Sequence, residues 1–191
     1  MTIQNSIFSI TIRFTAFAIA LSFLPAGTLA AETKASAPTD AEIAHIVVTS
    51  DQIDINAGKA AQDKTQNSKV KSFAASMVRD HSLVTKQAEN LAKKLKLSPQ
   101  DNDTSKTLKA NADSNLATMN NLKGDAFDKA YIDQEVAFHQ VVLESLDKTL
   151  IPNAKNKQLK ALLVKTRPTI EAHLKHAKSL QADFNKTTAS R

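Results

Sequence analysis

The chain has 191 residues, a formal net charge of +6, 42% hydrophobic residues, three Gly, five Pro and no Cys. This length allows one domain with a real core. The missing Cys excludes disulfides, thiolate metal sites and cysteine nucleophiles, and so few Gly and Pro argue against a turn-rich sandwich or barrel. A composition led by Ala, Lys and Leu favours an all-α protein.

The basic charge is spread as Lys along the polar faces of the predicted helices. Arg-rich runs and Trp are missing, and Tyr131 is the single Tyr. A nucleic-acid module needs a basic stripe with aromatic platforms, so the charge reads as a solvated face, with weak contact to an anionic membrane surface as the only polyanion reading kept.

The first thirteen residues carry a single charge, the basic Arg13, and Phe14 to Leu24 form an uncharged apolar run ended by Pro25. Thr28-Leu29-Ala30 before Ala31 supplies small residues for cleavage. The order is that of a secretory signal peptide over residues 1–30, cut near Ala30. The run is too short to span a bilayer comfortably. A periplasmic or secreted protein is expected, with residues 31–38 as a flexible lead-in.

Residues 39–184 read as one helical bundle domain. Thr39-Asp40-Ala41-Glu42 is a capping box that opens a first helix, through Ile43, Ile46, Val47, Ile53 and Ile55 to about Lys64. Asp51 and Asp54 lie near its middle, and Gly58 allows a neighbouring helix to approach closely. Thr65 to Ser68 is a polar turn with Asn67 or Ser68 as the next cap. A turn this short makes the first two helices an antiparallel hairpin.

The second helix runs to about Leu97. Its stripe is Val70, Phe73, Ala74, Met77, Val84, Ala88, Leu91 and Leu95, spaced by threes and fours. His81 stands in that stripe where an apolar residue is due. Ser98 to Asn102 ends the helix.

A weaker third helix, about Thr104 to Leu122, has an apolar edge of Leu108, Ala112, Leu116, Met119 and Leu122 and reads as a crossover or covering element. Lys123-Gly124-Asp125 is a break, with Gly124 in the left-handed conformation and Asp125 as cap. A fourth helix, about Ala126 to Leu150, carries Phe127, Tyr131, Phe138, Val142 and Leu146 on one face, with Glu135 and His139 on the same side. Ile151-Pro152-Asn153 closes it. The fifth, about Lys155 to Phe184, has a stripe of Leu159, Leu162, Leu163, Ile170, Leu174, Ala177 and Leu180. Pro168 predicts a kink or break near Thr166-Arg167, and His173 falls in the stripe beyond it. Residues 185–191 are expected to fray as a disordered tail.

Several motifs occur together in this order. They are Asp51-Gln52-Ile53-Asp54-Ile55 with Gly58, Phe73-Ala74, Met77-Val78-Arg79-Asp80-His81, Gly124-Asp125-Ala126-Phe127-Asp128 with Tyr131, Glu135 with His139, and Pro168 with His173-Leu174. The combination, over about residues 40–184, resembles a bacterial family of exported proteins with a ferritin-like domain of unknown function, whose members are often labelled outer-membrane or periplasmic. The resemblance implies a ferritin-like four-helix bundle with one crossover connection carrying an additional helix. It brings no settled activity.

The candidate polar constellation is Asp54, His81, Glu135, His139 and His173, one or two residues from each bundle helix. Histidine and carboxylate on different helices can hold Fe, Mn or Zn. The di-iron pattern of ferritin-like enzymes uses Glu-x-x-His on two helices, and none of these candidates forms that spacing. Glu135 and His139 are four apart, and Glu171 and His173 two apart, which puts that second pair on different faces. Three readings follow: a hydrogen-bonded polar layer that fixes bundle register, a metal site of altered geometry, and a pH-responsive cluster.

His45 and His176 are expected on the surface, Asp128 and Tyr131 in capping and packing, and Arg79-Asp80 as an ion pair. No nucleophile elbow or phosphate loop occurs. The expected function is a non-enzymatic envelope or stress-related protein that binds a partner. The alternatives are a metal-binding bundle and a membrane-surface binder.

Overall fold

The structure is a computed structural model that describes residues 36–189, with side chains to Lys186. The predicted signal peptide, most of the lead-in and the last two residues lie outside the described residues. Five main helices form: α1 Asp40–Lys64, α2 Ser68–Leu95, α3 Asp103–Asn120, α4 Gly124–Ser145 and α5 Lys157–Ala189. Among the described residues there is no strand, and no helix is long and apolar enough to cross a membrane.

Local chemistry sets the starts of these helices. Thr39 and Glu42 close the predicted capping box: the Glu42 amide donates to Thr39 Oγ1 at 3.3 Å, and the Thr39 amide donates to Glu42 Oε2 at 2.8 Å. Asn67 caps α2 by accepting from the Lys69 and Val70 amides. α3 has a box of its own, with Asn102 and Ser105 exchanging backbone–side-chain bonds at 3.0 and 3.1 Å.

Two terminal readings change. Asp125 is not the cap of α4: the N-cap is Lys123, without a side-chain bond, and Asp125 lies in the first turn, where a carboxylate suits the positive end of the helix. Gly124 has φ 55°, as expected, but it starts α4 instead of ending α3. At the other end of the chain α5 continues to Ala189, past the Phe184 end that its apolar stripe suggests; no Gly or Pro stops it there.

Neither Pro152 nor Pro168 interrupts the chain's course. α5 is continuous through Pro168, so the expected break is absent. The carbonyl that loses its donor to Pro168 belongs to Val164, on an exposed face. Before Pro152 the helix instead widens into a π turn, Leu146–Leu150, followed by the short helical turn Ile151–Asn153. A proline ring clashes with the carbonyl four residues back in a regular α-turn, and the wider turn relieves that clash. Arg167 on α5 fastens this segment with a bidentate pair to Asp147, at 2.6 and 2.8 Å.

Chain direction follows from contacts at the two ends. α3 leaves the start of α1, where Asn102 Nδ2 donates to the Glu42 carbonyl, and reaches its end, where Lys64 Nζ donates to the Asn120 carbonyl. α4 then descends, since the Lys155 amide just beyond it donates to Asp40 Oδ1. α5 rises again until Lys69 pairs with Asp183. Thus α1, α3 and α5 run one way and α2 and α4 the other. α1 packs on α2 and α4, and α5 on α2 and α4, as a four-helix bundle with α3 as the crossover laid outside α1 and α4.

Burial splits the interior into two apolar clusters. One, near the α1–α2 turn, gathers Ala61, Val70, Phe73, Met77, Phe127, Tyr131, Ile132 and Leu180. The other, at the opposite end, gathers Ile43, Ile46, Leu146, Leu150, Leu159, Leu163 and Ile170. Gly58 sits at a close approach of α1 and α2: a Cβ there would lie 3.0 Å from the Ala74 carbonyl oxygen and 3.0 Å from Val78 Cγ2. This is the close approach the sequence suggested.

Candidate metal centre

Between the two apolar clusters lies a polar layer built from the middle turn of all four bundle helices. α1 contributes Asp51 and Asp54, α2 His81, α4 Glu135 and His139, and α5 His173. Every one is buried, with His81, His139, Asp54 and Glu135 at 2% exposure or less. The 3.6-residue period explains the sharing of faces: Asp51 and Asp54 are three apart, Glu135 and His139 four apart.

The imidazoles meet. Ring centroids are 5.6 Å apart for His81 and His139, 5.3 Å for His81 and His173, and 5.5 Å for His139 and His173. One nitrogen of each ring has an outward partner. His81 Nδ1–H donates to Asp51 Oδ1 at 2.8 Å, His139 Nδ1–H to the Glu135 carbonyl at 3.0 Å, and His173 Nε2–H to Asp80 Oδ2 at 3.1 Å. These acceptors fix the tautomers, because a carbonyl or carboxylate must receive a proton. In a neutral ring the remaining nitrogen, His81 Nε2, His139 Nε2 or His173 Nδ1, then carries the lone pair. All three are buried and have no hydrogen-bond partner.

One ligand atom from each of these histidines lies within 4.8 Å of the others. Three buried lone pairs converging without a hydrogen between them repel one another and stay unsatisfied, which costs free energy. The bonds of a self-satisfied polar layer would run between the rings; here they run outward.

The carboxylates sit beside this centre. Asp54 Oδ2 is 3.3 Å from His81 Nε2, off the line of a hydrogen bond. Glu135 Oε2 is 3.3 Å from His139 Nδ1 and has no hydrogen-bond partner. Asp54, Glu135 and His139 form a second group within 4.8 Å of one another. The Tyr131 hydroxyl, fully buried, lies near Glu135 and closes no hydrogen bond.

Burial controls the protonation of the layer. It raises Asp54 well above the usual carboxylate range, helped by the neighbouring Glu135 and Asp51. It also raises Glu135 and Asp51, the latter against the His81 bond. It pushes His139 down to about 3 and lowers His173. His139 and His173 are thereby held neutral, the form in which imidazole binds metal.

All five sequence candidates, Asp54, His81, Glu135, His139 and His173, thus lie in one buried layer. His176 does not join it: it is exposed and packs edge-on against Phe73 at 5.1 Å. His45 is half-buried and pairs with Asp101 at 3.2 Å. Asp128 is buried at the start of α4, and Tyr131 packs edge-on against Phe73 at 6.1 Å.

Sequence reasoning gave no site role to Asp51 and Asp80. Asp51 orients His81, and its spacing from Asp54 on one helix face was the available signal. Asp80 forms the expected pair with Arg79, at 2.8 and 3.0 Å, but it also accepts from His173 across the α2–α5 contact. Nothing in the local sequence points to that contact.

A profile of the family described as a domain of unknown function, DUF4142, matches residues 25–180, and the chain belongs to that family. No curated protein matches it. Among solved structures it is similar to the "putative secreted protein DUF305" from Streptomyces coelicolor, with a TM-score of 0.64 and 14% identity over 76% of this chain and 93% of that one. It is also similar to CopM in the Cu(II)-bound form, with a TM-score of 0.62 and 16% identity over 78% of this chain and 99% of that one. Identities this low speak for the fold alone.

Proposed function

We propose that this DUF4142 protein is an exported metal-binding bundle that holds one first-row transition-metal ion among His81, His139 and His173. The observation that carries the reading is the convergence of three buried imidazole nitrogens whose lone pairs have no other partner. Each ring is backed by an outward acceptor, Asp51, the Glu135 carbonyl or Asp80. Such outer partners orient metal-bound histidines and raise their basicity.

Imidazole suits copper, zinc, iron and nickel, and the usual affinity order favours Cu(II), followed by Zn(II). Iron, manganese and zinc were the ions suggested by the residue types; a nitrogen-rich centre ranks manganese last. The Cu(II) named for CopM is compatible with these donors. Apolar clusters flank the layer, and the cavity lined by Asp51, Val84 and Leu146 holds only about 30 Å³, which favours holding or buffering the metal over turnover of an organic substrate.

The test is metal analysis and calorimetric titration of untagged protein with Zn(II) and Cu(II). One equivalent is expected for the wild type and none for His139→Leu, with helicity unchanged by circular dichroism. Sub-stoichiometric binding that His139→Leu leaves unaltered refutes the site.

A further inference from the structure

We infer that Asp54 and Glu135 make this centre selective for a divalent ion over a monovalent one, with Asp54 as the carboxylate that completes the ligand set beside the three imidazoles. The inference rests on the three-histidine reading and adds to it the class of ion.

The first argument is a charge census of the layer. Asp51, Asp54 and Glu135 are buried, yet their ion-pair partners among the described residues are His81 and His139 alone, with no Lys or Arg. Asp80, by contrast, is compensated by Arg79. Buried carboxylates are ordinarily paired with a cation. With Asp51 bonded to His81, Asp54 and Glu135 remain as the two carboxylates that, deprotonated on binding an ion, balance a dication and over-balance a monocation.

The second argument is geometric. Asp54 Oδ2 approaches the free His81 Nε2 to 3.3 Å, and Asp54 and Glu135 both reach His139 within 4.8 Å. Glu135 Oε2 and the Tyr131 hydroxyl are buried without hydrogen-bond partners, so the oxygen side of the layer is as incomplete as the nitrogen side. Asp54 therefore stands on the His81 and His139 side of the centre, where its oxygen can join their nitrogens on one ion. Its hard oxygen adds to the preference, since Cu(I) favours soft donors. Only two Met sulfurs lie among the described residues, Met77 and Met119, and both are packed in the apolar cluster.

Coulomb energy scales with the product of the charges. Removing one carboxylate charge thus costs a dication about twice, on a logarithmic scale, what it costs a monocation. Asp54→Asn and Glu135→Gln remove the charge and keep the shape. The experiment measures Zn(II) affinity against a zinc chelator and Cu(I) affinity anaerobically against a Cu(I) chelator, in the wild type and in each single variant. The expected result is a loss of about 100-fold or more for Zn(II), the upper end of what perturbing a metal site's supporting groups does, with the Cu(I) loss about 10-fold or less. Equal losses for the two ions, or no loss for either, overturn the inference while leaving the histidine site in place. If the wild type binds neither ion, the three-histidine reading fails and this inference with it.

Discussion

Replacing His139 by Leu separates a metal centre from a structural histidine layer. In the metal-free protein His139 makes one hydrogen bond, from Nδ1 to the Glu135 carbonyl, and that carbonyl also lies within the α4 helix ladder. Its Nε2 is buried and unpartnered. Leucine removes the orphaned nitrogen, a gain of about 1–3 kcal/mol. It also removes the Nδ1 bond, worth about 1 kcal/mol, and the ring-edge contacts to His81 and His173, about 0.5–1.5 kcal/mol. These terms nearly cancel, so the metal-free variant should lie within about 1 kcal/mol of the wild type. At this domain size that is a melting-temperature change of about 2–4 °C or less.

His81→Leu differs, because it strips Asp51 of its 2.8 Å partner in the core. Leaving a buried carboxyl without its partner costs about 1–3 kcal/mol, and more if it is charged, and Thr85, at 3.4 Å, compensates little. The assay is urea unfolding followed by circular dichroism, in chelator and again with Zn(II). The ion should stabilise the wild type, by about 2.7 kcal/mol at a hundred times its dissociation constant, and neither variant. A loss of more than about 2 kcal/mol in metal-free His139→Leu would show that the ring makes bonds the geometry omits, and would refute the reasoning.

Other expectations test different parts of the molecule. Gly58→Ala gains about 1 kcal/mol of helix propensity but drives a methyl against the Ala74 carbonyl oxygen at 3.0 Å. Overpacking of this kind costs about 1–3 kcal/mol, so the melting temperature should fall, and a rise would show that α1 and α2 can part cheaply. Arg167→Ala should cost about 1 kcal/mol or less, because its pairs with Asp147 and Glu171 are largely exposed; a larger loss by urea unfolding would give the π-turn clamp a greater role.

Stability of the metal-free protein should also depend on pH. Glu135 is raised from 4.5 to about 8, so its contribution is present below 4.5 and lost as pH rises through about 8; Asp54, also raised, acts in the same sense. His139, lowered from 6.5 to about 3, contributes above 6.5 and loses its contribution as pH falls through about 3. The two effects oppose each other between 4.5 and 6.5. Above 6.5 the carboxylates act alone, so the melting temperature in chelator should fall from pH 6.5 towards 8, and a rise there would contradict the buried carboxylate pair.

The sequence by itself determined the bundle. Apolar spacing of three and four placed α1, α2, α4 and α5, and the caps at Thr39 and Asn67 set two of their starts, because both signals depend on neighbours within a turn or two. It also marked His81, His139 and His173 as polar residues in apolar stripes. Periodicity assigns such a residue to the core side of its helix, not to a height or a partner. Only tertiary packing decided that the stripes bring the three rings to one level, that Asp51 and Asp80 reach across helix contacts to hold them, and that the three remaining nitrogens face each other. Pro152 and Pro168 show the same division. Each announces a local perturbation, but packing of Leu146 and Leu150 in one case, and the exposed face at Val164 in the other, decided between a widened turn and an unbroken helix. His81 was legible as an anomaly in its own stripe. Its meaning lies in residues 27 to 92 positions away, at distances along the chain that no local pattern encodes.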